Sequence, residues 1–86
     1  MLQRITRVEP QSGYRLRLSF ADGLEGIVDF TSIIEKGGVF SPMRDPAFFA
    51  RVELHFNGRL ISWPGELEFC ADALWQDVRQ GAAQPA

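Results

Sequence analysis

The sequence predicts an α+β domain built on a mostly antiparallel sheet, with two β-hairpins, a leading strand, short helices and a C-terminal helix. Three observations predict it. Strict alternation runs from Tyr14 to Phe30 and breaks only around Asp22-Gly23; a second alternating run breaks at Asn57-Gly58; and a stripe of helical period follows Cys70. With 86 residues the chain is short for two cores, and a domain this small buries about 60–65% of the surface its unfolded chain exposes. Residues 1–80 are therefore read as one domain. Residues 81–86, made of Gly, Ala, Gln and Pro, offer nothing to pack and are expected to be a disordered tail.

The leading strand is expected over residues 3 to 9, where Ile5, Thr6 and Val8 stand between polar neighbours, and should end at Pro10. In the next run Tyr14, Leu16, Leu18 and Phe20 share one face and Arg15, Arg17 and Ser19 the other. A two-residue Asp22-Gly23 turn would set Phe20 opposite Glu25 and Leu16 opposite Asp29, placing carboxylates on the apolar face. A three-residue loop with Gly23 at positive φ instead faces Phe20 with Leu24, Leu18 with Gly26, Leu16 with Val28 and Arg15 with Asp29. That register buries the apolar set and pairs the charges, so it is preferred.

Thr31-Ser32-Ile33-Ile34-Glu35 offers a capping box between Ser32 and Glu35, and Gly37-Gly38 should stop the short helix it starts. Ser41-Pro42 and Asp45-Pro46 each place a capping residue before a proline, giving one or two helical turns between 41 and 51. Val52, Leu54 and Phe56 then lead into Asn57-Gly58, with Arg59, Ile61 and Trp63 continuing the same face. After Trp63-Pro64-Gly65 the chain is expected to turn through residues 66–69. The final helix, about residues 71–80, sets Ala71, Leu74, Trp75 and Val78 on its docking stripe and Asp72, Gln76, Asp77 and Arg79 elsewhere.

Hydrophobic residues make up 45% of the chain and charged residues 23%, the balance of an ordinary globular domain. Nine Lys and Arg against eleven Asp and Glu give a net charge of -2, which excludes a broad basic field of the kind phosphate backbones attract. The first residues contain neither a signal h-region nor a spanning segment, and Cys70, the only cysteine, cannot form an internal disulfide. A cytoplasmic protein with no membrane association is the expectation.

Chemistry-bearing residues are sparse. His55 is the only imidazole and should sit opposite Leu60, away from Val52, Leu54 and Phe56, with no serine or cysteine placed to act with it. One His and one Cys cannot complete a typical zinc site. Cys70 precedes a helix, which can lower a thiol pKa, but a small buried hydrophobe is the simpler reading. Asp22, Asp29, Glu66, Glu68 and Asp72 could gather round a hard cation, yet each stands where a loop or helix start wants an acid for local reasons. Neither a dinucleotide fingerprint nor a phosphate loop is present. The sequence therefore predicts no catalytic residue, no cofactor and no metal, hence no enzyme.

Two sets of residues are candidates for binding. Arg4, Arg7, Arg15 and Arg17 can share the outer sheet face and are the nucleic-acid candidates, although Glu25 and Asp29 beside them favour a solvated, ion-paired face. Phe40, Phe48, Phe49, Phe69 and Trp75 fall outside the clean hairpin alternation and are the partner-binding candidates; the plainer reading is that they complete a thin core. The leading strand also lacks, from Gln3 to Glu9, the proline or inward lysine that blocks edge pairing.

The order and spacing of Tyr14-x-Leu16-x-Leu18-x-Phe20-x-Asp22-Gly23, Val28-Asp29-Phe30, Gly38-Val39-Phe40, Asp45-Pro46-x-Phe48-Phe49, Asn57-Gly58-x-Leu60-Ile61-x-Trp63-Pro64 and Asp72-x-Leu74-Trp75 resembles the small bacterial domain-of-unknown-function family numbered 2442, from about Ile5 to Trp75. The resemblance implies no activity or cofactor. It implies either short chains, often encoded beside another small protein in what resembles a toxin-antitoxin arrangement, or modules joined to a helix-turn-helix. This chain is similar to the short form, with no helix-turn-helix after residue 80. The expectation is a protein-interaction module, antitoxin-like, whose partner is a protein or weakly itself. The alternative is a nucleic-acid-associated regulator using the arginine face.

Overall fold

The computed structural model describes residues 2–65 and 67–80, and the expected tail at 81–86 lies outside them. Two three-stranded antiparallel sheets pack against each other. The first holds β1 (Ile5–Gln11), β2 (Arg15–Phe20) and β3 (Glu25–Asp29) in the order β1-β2-β3; the second holds β4 (Glu53–His55), β5 (Leu60–Trp63) and β6 (Leu67–Cys70) in the order β4-β5-β6. Between them run α1 (Thr31–Glu35), a 3₁₀ stretch at Gly38–Arg44 and α2 (Pro46–Phe49), and α3 (Ala71–Arg79) closes the fold.

The first hairpin takes the three-residue register: Arg15 pairs with Asp29, Leu16 with Val28 and Leu18 with Gly26, and the Phe20 amide donates to the Leu24 carbonyl at 2.8 Å. Gly23 has φ +93°. The cause is the one sequence gives, since Leu16, Leu18 and Val28 are fully buried while Arg15 and Arg17 stay exposed.

β1 differs from expectation. It continues through Pro10 to Gln11, which pairs with Arg15, and a bulge between Ile5 and Arg7 shifts its register at Thr6. The Phe20–Leu24 bond and a Phe30 amide to Tyr14 carbonyl bond show that the even residues of β2 face β3. Its odd residues, and hence Arg7, Glu9 and Gln11 opposite them, close the β1–β2 ladder. Val8 and Pro10 therefore turn their backbones to the open edge, where Pro10 has no N–H to offer. A proline tolerates an edge strand because it forfeits only an outward bond.

β6 corrects a second expectation, as Leu67–Cys70 is a strand that pairs with β5, Leu67 opposite Trp63 and Phe69 opposite Ile61. Its inward residues shield β5, whose Ile61 and Trp63 are buried. The short helices are capped differently too. The Thr31 amide binds the Asp29 carboxylate at 2.8 Å and no side chain caps α1 in the manner of a Ser32–Glu35 box. Asp45 does cap α2, accepting from the Ala47 amide at 2.9 Å ahead of Pro46. Ser41-Pro42 lies inside the 3₁₀ stretch, which already starts at Gly38.

The core lies between the sheets and is centred on fully buried Phe30, whose ring stands 5.1 Å from Phe69, 5.6 Å from Trp63 and 6.0 Å from Phe49. Edge-to-face contacts of this kind add about 0.5–1.5 kcal/mol each beyond the area they bury. The Trp63 indole donates to the Phe49 carbonyl at 2.7 Å, so its buried N–H is satisfied. α3 docks on the first sheet at Gly26, where a Cβ would stand 2.5 Å from Val78 Cγ1. Leu74 and Ala71 are buried as expected, and so is Asp77, which follows Leu74 by three residues and shares its side of the helix.

Candidate functional site

The four arginines of the first sheet are all exposed. β1–β2 pairing sets Arg7 beside Ser19, Glu9 beside Arg17 and Gln11 beside Arg15, and β3 completes the grid with Glu25, Ile27 and Asp29. Cations and anions alternate on it. Arg7 Nη2 lies 3.2 Å from Glu9, Arg17 Nη2 lies 3.3 Å from Glu25, and Arg15 donates to the Ser12 carbonyl while facing Asp29. Exposed pairs contribute about 0–1 kcal/mol each, but together they leave the face without a concentrated positive field. Arg4 stands apart, beyond the bulge, with no carboxylate against it among the described residues.

The aromatic candidates come together mainly as core. Phe49 is buried, and Phe40, Phe48, Phe69 and Trp75 are half-buried against the same cluster. Phe49 also lines an apolar cleft of about 330 Å³ between the β1–β2 turn and α2, with Pro10, Tyr14 and Pro46. Trp75 has a separate task, donating its indole N–H to the Asp22 carboxylate at 2.9 Å beneath the Arg79 guanidinium, 5.1 Å from the ring centre.

The exposed aromatic is one that sequence reading placed inside. Phe56 continues the Val52-Leu54 alternation, yet 74% of it is exposed. The strand register around it is as expected, with His55 opposite Leu60 and Leu54 opposite Ile61. The turn differs, because Phe56, Asn57 and Gly58 all have positive φ (53°, 59° and 84°) and two tight bonds, Gly58 amide to His55 carbonyl and Arg59 amide to Phe56 carbonyl, wind it to the left. This winding carries the Phe56 ring out of the sheet face and into solvent.

The tip is held rigidly. The Ile5 amide donates to the Gly58 carbonyl at 2.8 Å, and Gly58 rests on the Ile5 backbone so closely that no Cβ would fit. Next to it the Arg59 guanidinium grips Asp72 through Nη1 at 3.1 Å and Nη2 at 3.2 Å and also donates to the Gln3 carbonyl, while the Gln3 amide donates to Asp72 at 2.7 Å. The bond from Arg59, then the Gln3 amide, holds the Asp72 carboxyl below its ordinary range. A groove of about 510 Å³ opens between this tip and the start of β1, lined by Arg4, Ile5, Thr6, Ala21, Leu54, Asn57 and Gly58.

The remaining chemistry-bearing side chains are dispersed. His55, half-buried, lies 3.9 Å from Glu53. Leu60 separates His55 from the exposed Cys70 on the outer face of the second sheet, a span of two strand spacings or about 10 Å. Neither can pass a proton to the other across it. Asp22 serves the Leu24 amide and Trp75, and Asp29 serves Thr31; those bonds hold both carboxyls below their ordinary range. Among the described residues no three His, Cys, Asp or Glu side chains gather as a metal would need. No described helix is long and apolar enough to cross a membrane.

The family model described as "Protein of unknown function (DUF2442)" matches residues 5–80, from the first residue of β1 to the residue that caps α3. The chain belongs to the DUF2442 family. No curated protein matches this DUF2442 domain. Among solved structures, it is similar to the crystal structure of a "Putative DNA Binding Protein" from Nitrosomonas europaea ATCC 19718, with 28% identity and a TM-score of 0.79 over 98% of this chain. The match spans 54% of that protein, so the DUF2442 domain corresponds to about half of its length.

Proposed function

We propose that this DUF2442 domain is a non-catalytic protein-interaction module, the accessory or antitoxin-like partner of another small protein. The observation that carries the reading is Phe56, a bulky aromatic at φ +53° with 74% of its surface in water. A left-handed conformation costs a residue with a Cβ about 1–2 kcal/mol. Exposing a Phe instead of burying it forgoes a further 1.5–3 kcal/mol or so. Strain persists where surrounding structure over-determines it, and it concentrates where a side chain must be presented. Here the Ile5–Gly58 bond and the Arg59–Asp72–Gln3 knot supply that constraint. A rigid aromatic presented at the tip of a hairpin suits the anchor of a protein contact.

Replacing Phe56 with a photo-crosslinking aromatic tests this in lysate from the native host. The expected result is a discrete protein adduct absent when the crosslinker replaces Val39, which is 70% exposed elsewhere on the surface. Equal labelling from both positions would sink the reading. A cytoplasmic setting accompanies it, as the exposed Cys70 thiol suits a reducing compartment.

A second reading, a nucleic-acid-associated regulator, is favoured by the Nitrosomonas protein's description and by the arginines of the first sheet. Its test is binding of duplex DNA that weakens steeply with salt and is lost when Arg4, Arg7, Arg15 and Arg17 become Ala together.

A further inference from the structure

The groove at the Asn57-Gly58 tip goes further than the reading above, on which it rests, because its chemistry selects an occupant. We infer that it docks a short acidic segment of the partner protein, whose carboxylate meets Arg4 while a neighbouring apolar side chain packs on Leu54.

Charge complementarity selects the occupant. Arg7, Arg17 and Arg59 each hold a carboxylate, Arg15 faces Asp29 and Arg79 lies on Trp75. Arg4 has no carboxylate against it among the described residues, as is also true of Lys36, Arg44 and Arg51, but of these four it alone lines the groove. An arginine standing unpaired beside an apolar wall accepts a planar carboxylate through two parallel bonds. Leu54 is that wall, and the Asn57 amide, also lining the groove, can donate to or accept from an extended backbone.

The wall at Gly58 is bonded to Ile5, so the groove exists before anything enters it and its occupant spends little ordering it. The β1 edge limits the occupant's length. Along β1 only Val8 turns both an N–H and a C=O to the open edge before Pro10 interrupts it, so a long added strand finds no ladder. A second copy pairing through β1 is thereby disfavoured, and the occupant is held by its side chains.

The probes are three labelled molecules followed by fluorescence anisotropy at two salt concentrations: a hexapeptide of alternating Glu and Leu, its Lys-Leu counterpart and an oligothymidylate. The Glu-Leu peptide should bind, the Lys-Leu peptide should not, and Arg4→Glu and Asn57→Asp, each placing a negative charge in the groove, should each weaken binding about tenfold or more with the melting temperature retained. Arg17→Glu, on the paired face, is the control and should leave the affinity unchanged. No Glu-Leu binding, or oligothymidylate binding abolished by Arg4→Glu in its place, overturns the inference. Loss of the position-56 adduct in lysate defeats the interaction reading itself. An adduct that persists unchanged in Arg4→Glu defeats only the acidic occupant.

Discussion

The Ile5 amide and the Gly58 carbonyl, 2.8 Å apart, join the two sheets, and the absent side chain of Gly58 is what lets them meet. Gly58→Ala puts a Cβ into the Ile5 backbone at a residue that also has φ +84°. Urea denaturation should show a loss of more than about 2 kcal/mol, since backbone obstructs it and cannot move aside as a side-chain tip would.

Phe56 should behave in the opposite way. Asn tolerates the left-handed region that Phe56 occupies at φ +53°, so Phe56→Asn relieves strain while giving up little buried area. Stability is expected to rise by up to about 1 kcal/mol while partner capture falls. A variant less stable than the parent would mean that the ring supports the fold.

Gly23 and Gly26 separate two reasons for a glycine. At Gly23, φ is +93° with open space around a Cβ, so Gly23→Ala should cost about 1 kcal/mol through backbone conformation alone. At Gly26 the obstacle is Val78. Gly26→Ala should therefore destabilise on its own and recover partly in combination with Val78→Ala, whereas Gly23→Ala should show no such coupling in a double-mutant cycle.

Asp72, Asp29 and Asp22 all have carboxyls held below the ordinary value of 3.8, Asp72 chiefly by Arg59. A carboxyl depressed in the folded state contributes stability that is complete above its unfolded pKa and is lost as pH falls through its folded pKa. The melting temperature should thus be insensitive to these groups near neutrality and fall as pH drops below about 4. Asp72→Asn should lower the neutral-pH value and flatten the acid limb. An acid limb identical in the variant would remove Asp72 from the account.

The first hairpin was legible because two requirements, burial of Leu16, Leu18 and Val28 and pairing of Arg15 with Asp29, select one register. β6 was not. Leu67-Glu68-Phe69-Cys70 gives only one full alternation before the helix begins, too little to separate a strand from a turn, and its pairing with β5 is decided across the chain. The fate of Pro10 likewise depended on which side of β1 is open, a property of the sheet order. At the candidate site, the Asn57-Gly58 signal correctly marked the reversal and set His55 opposite Leu60, but its left-handed winding begins one residue earlier and takes Phe56 off the inner face. The Arg59–Asp72–Gln3 knot escaped for a related reason, since Arg59 reads as one member of a strand face and its partners lie 13 and 56 residues away.

Pro10 has a consequence for the molecule in bulk. Fibrillar growth needs each exposed strand to template the next through an unbroken row of backbone donors and acceptors. With Pro10 in the outermost strand that row stops after Val8, and the Ile5 donor is already taken by Gly58. The chain can thus hold a sticky aromatic in water at Phe56 while its β1 edge, next to that tip, offers no seam along which copies could zip into filaments.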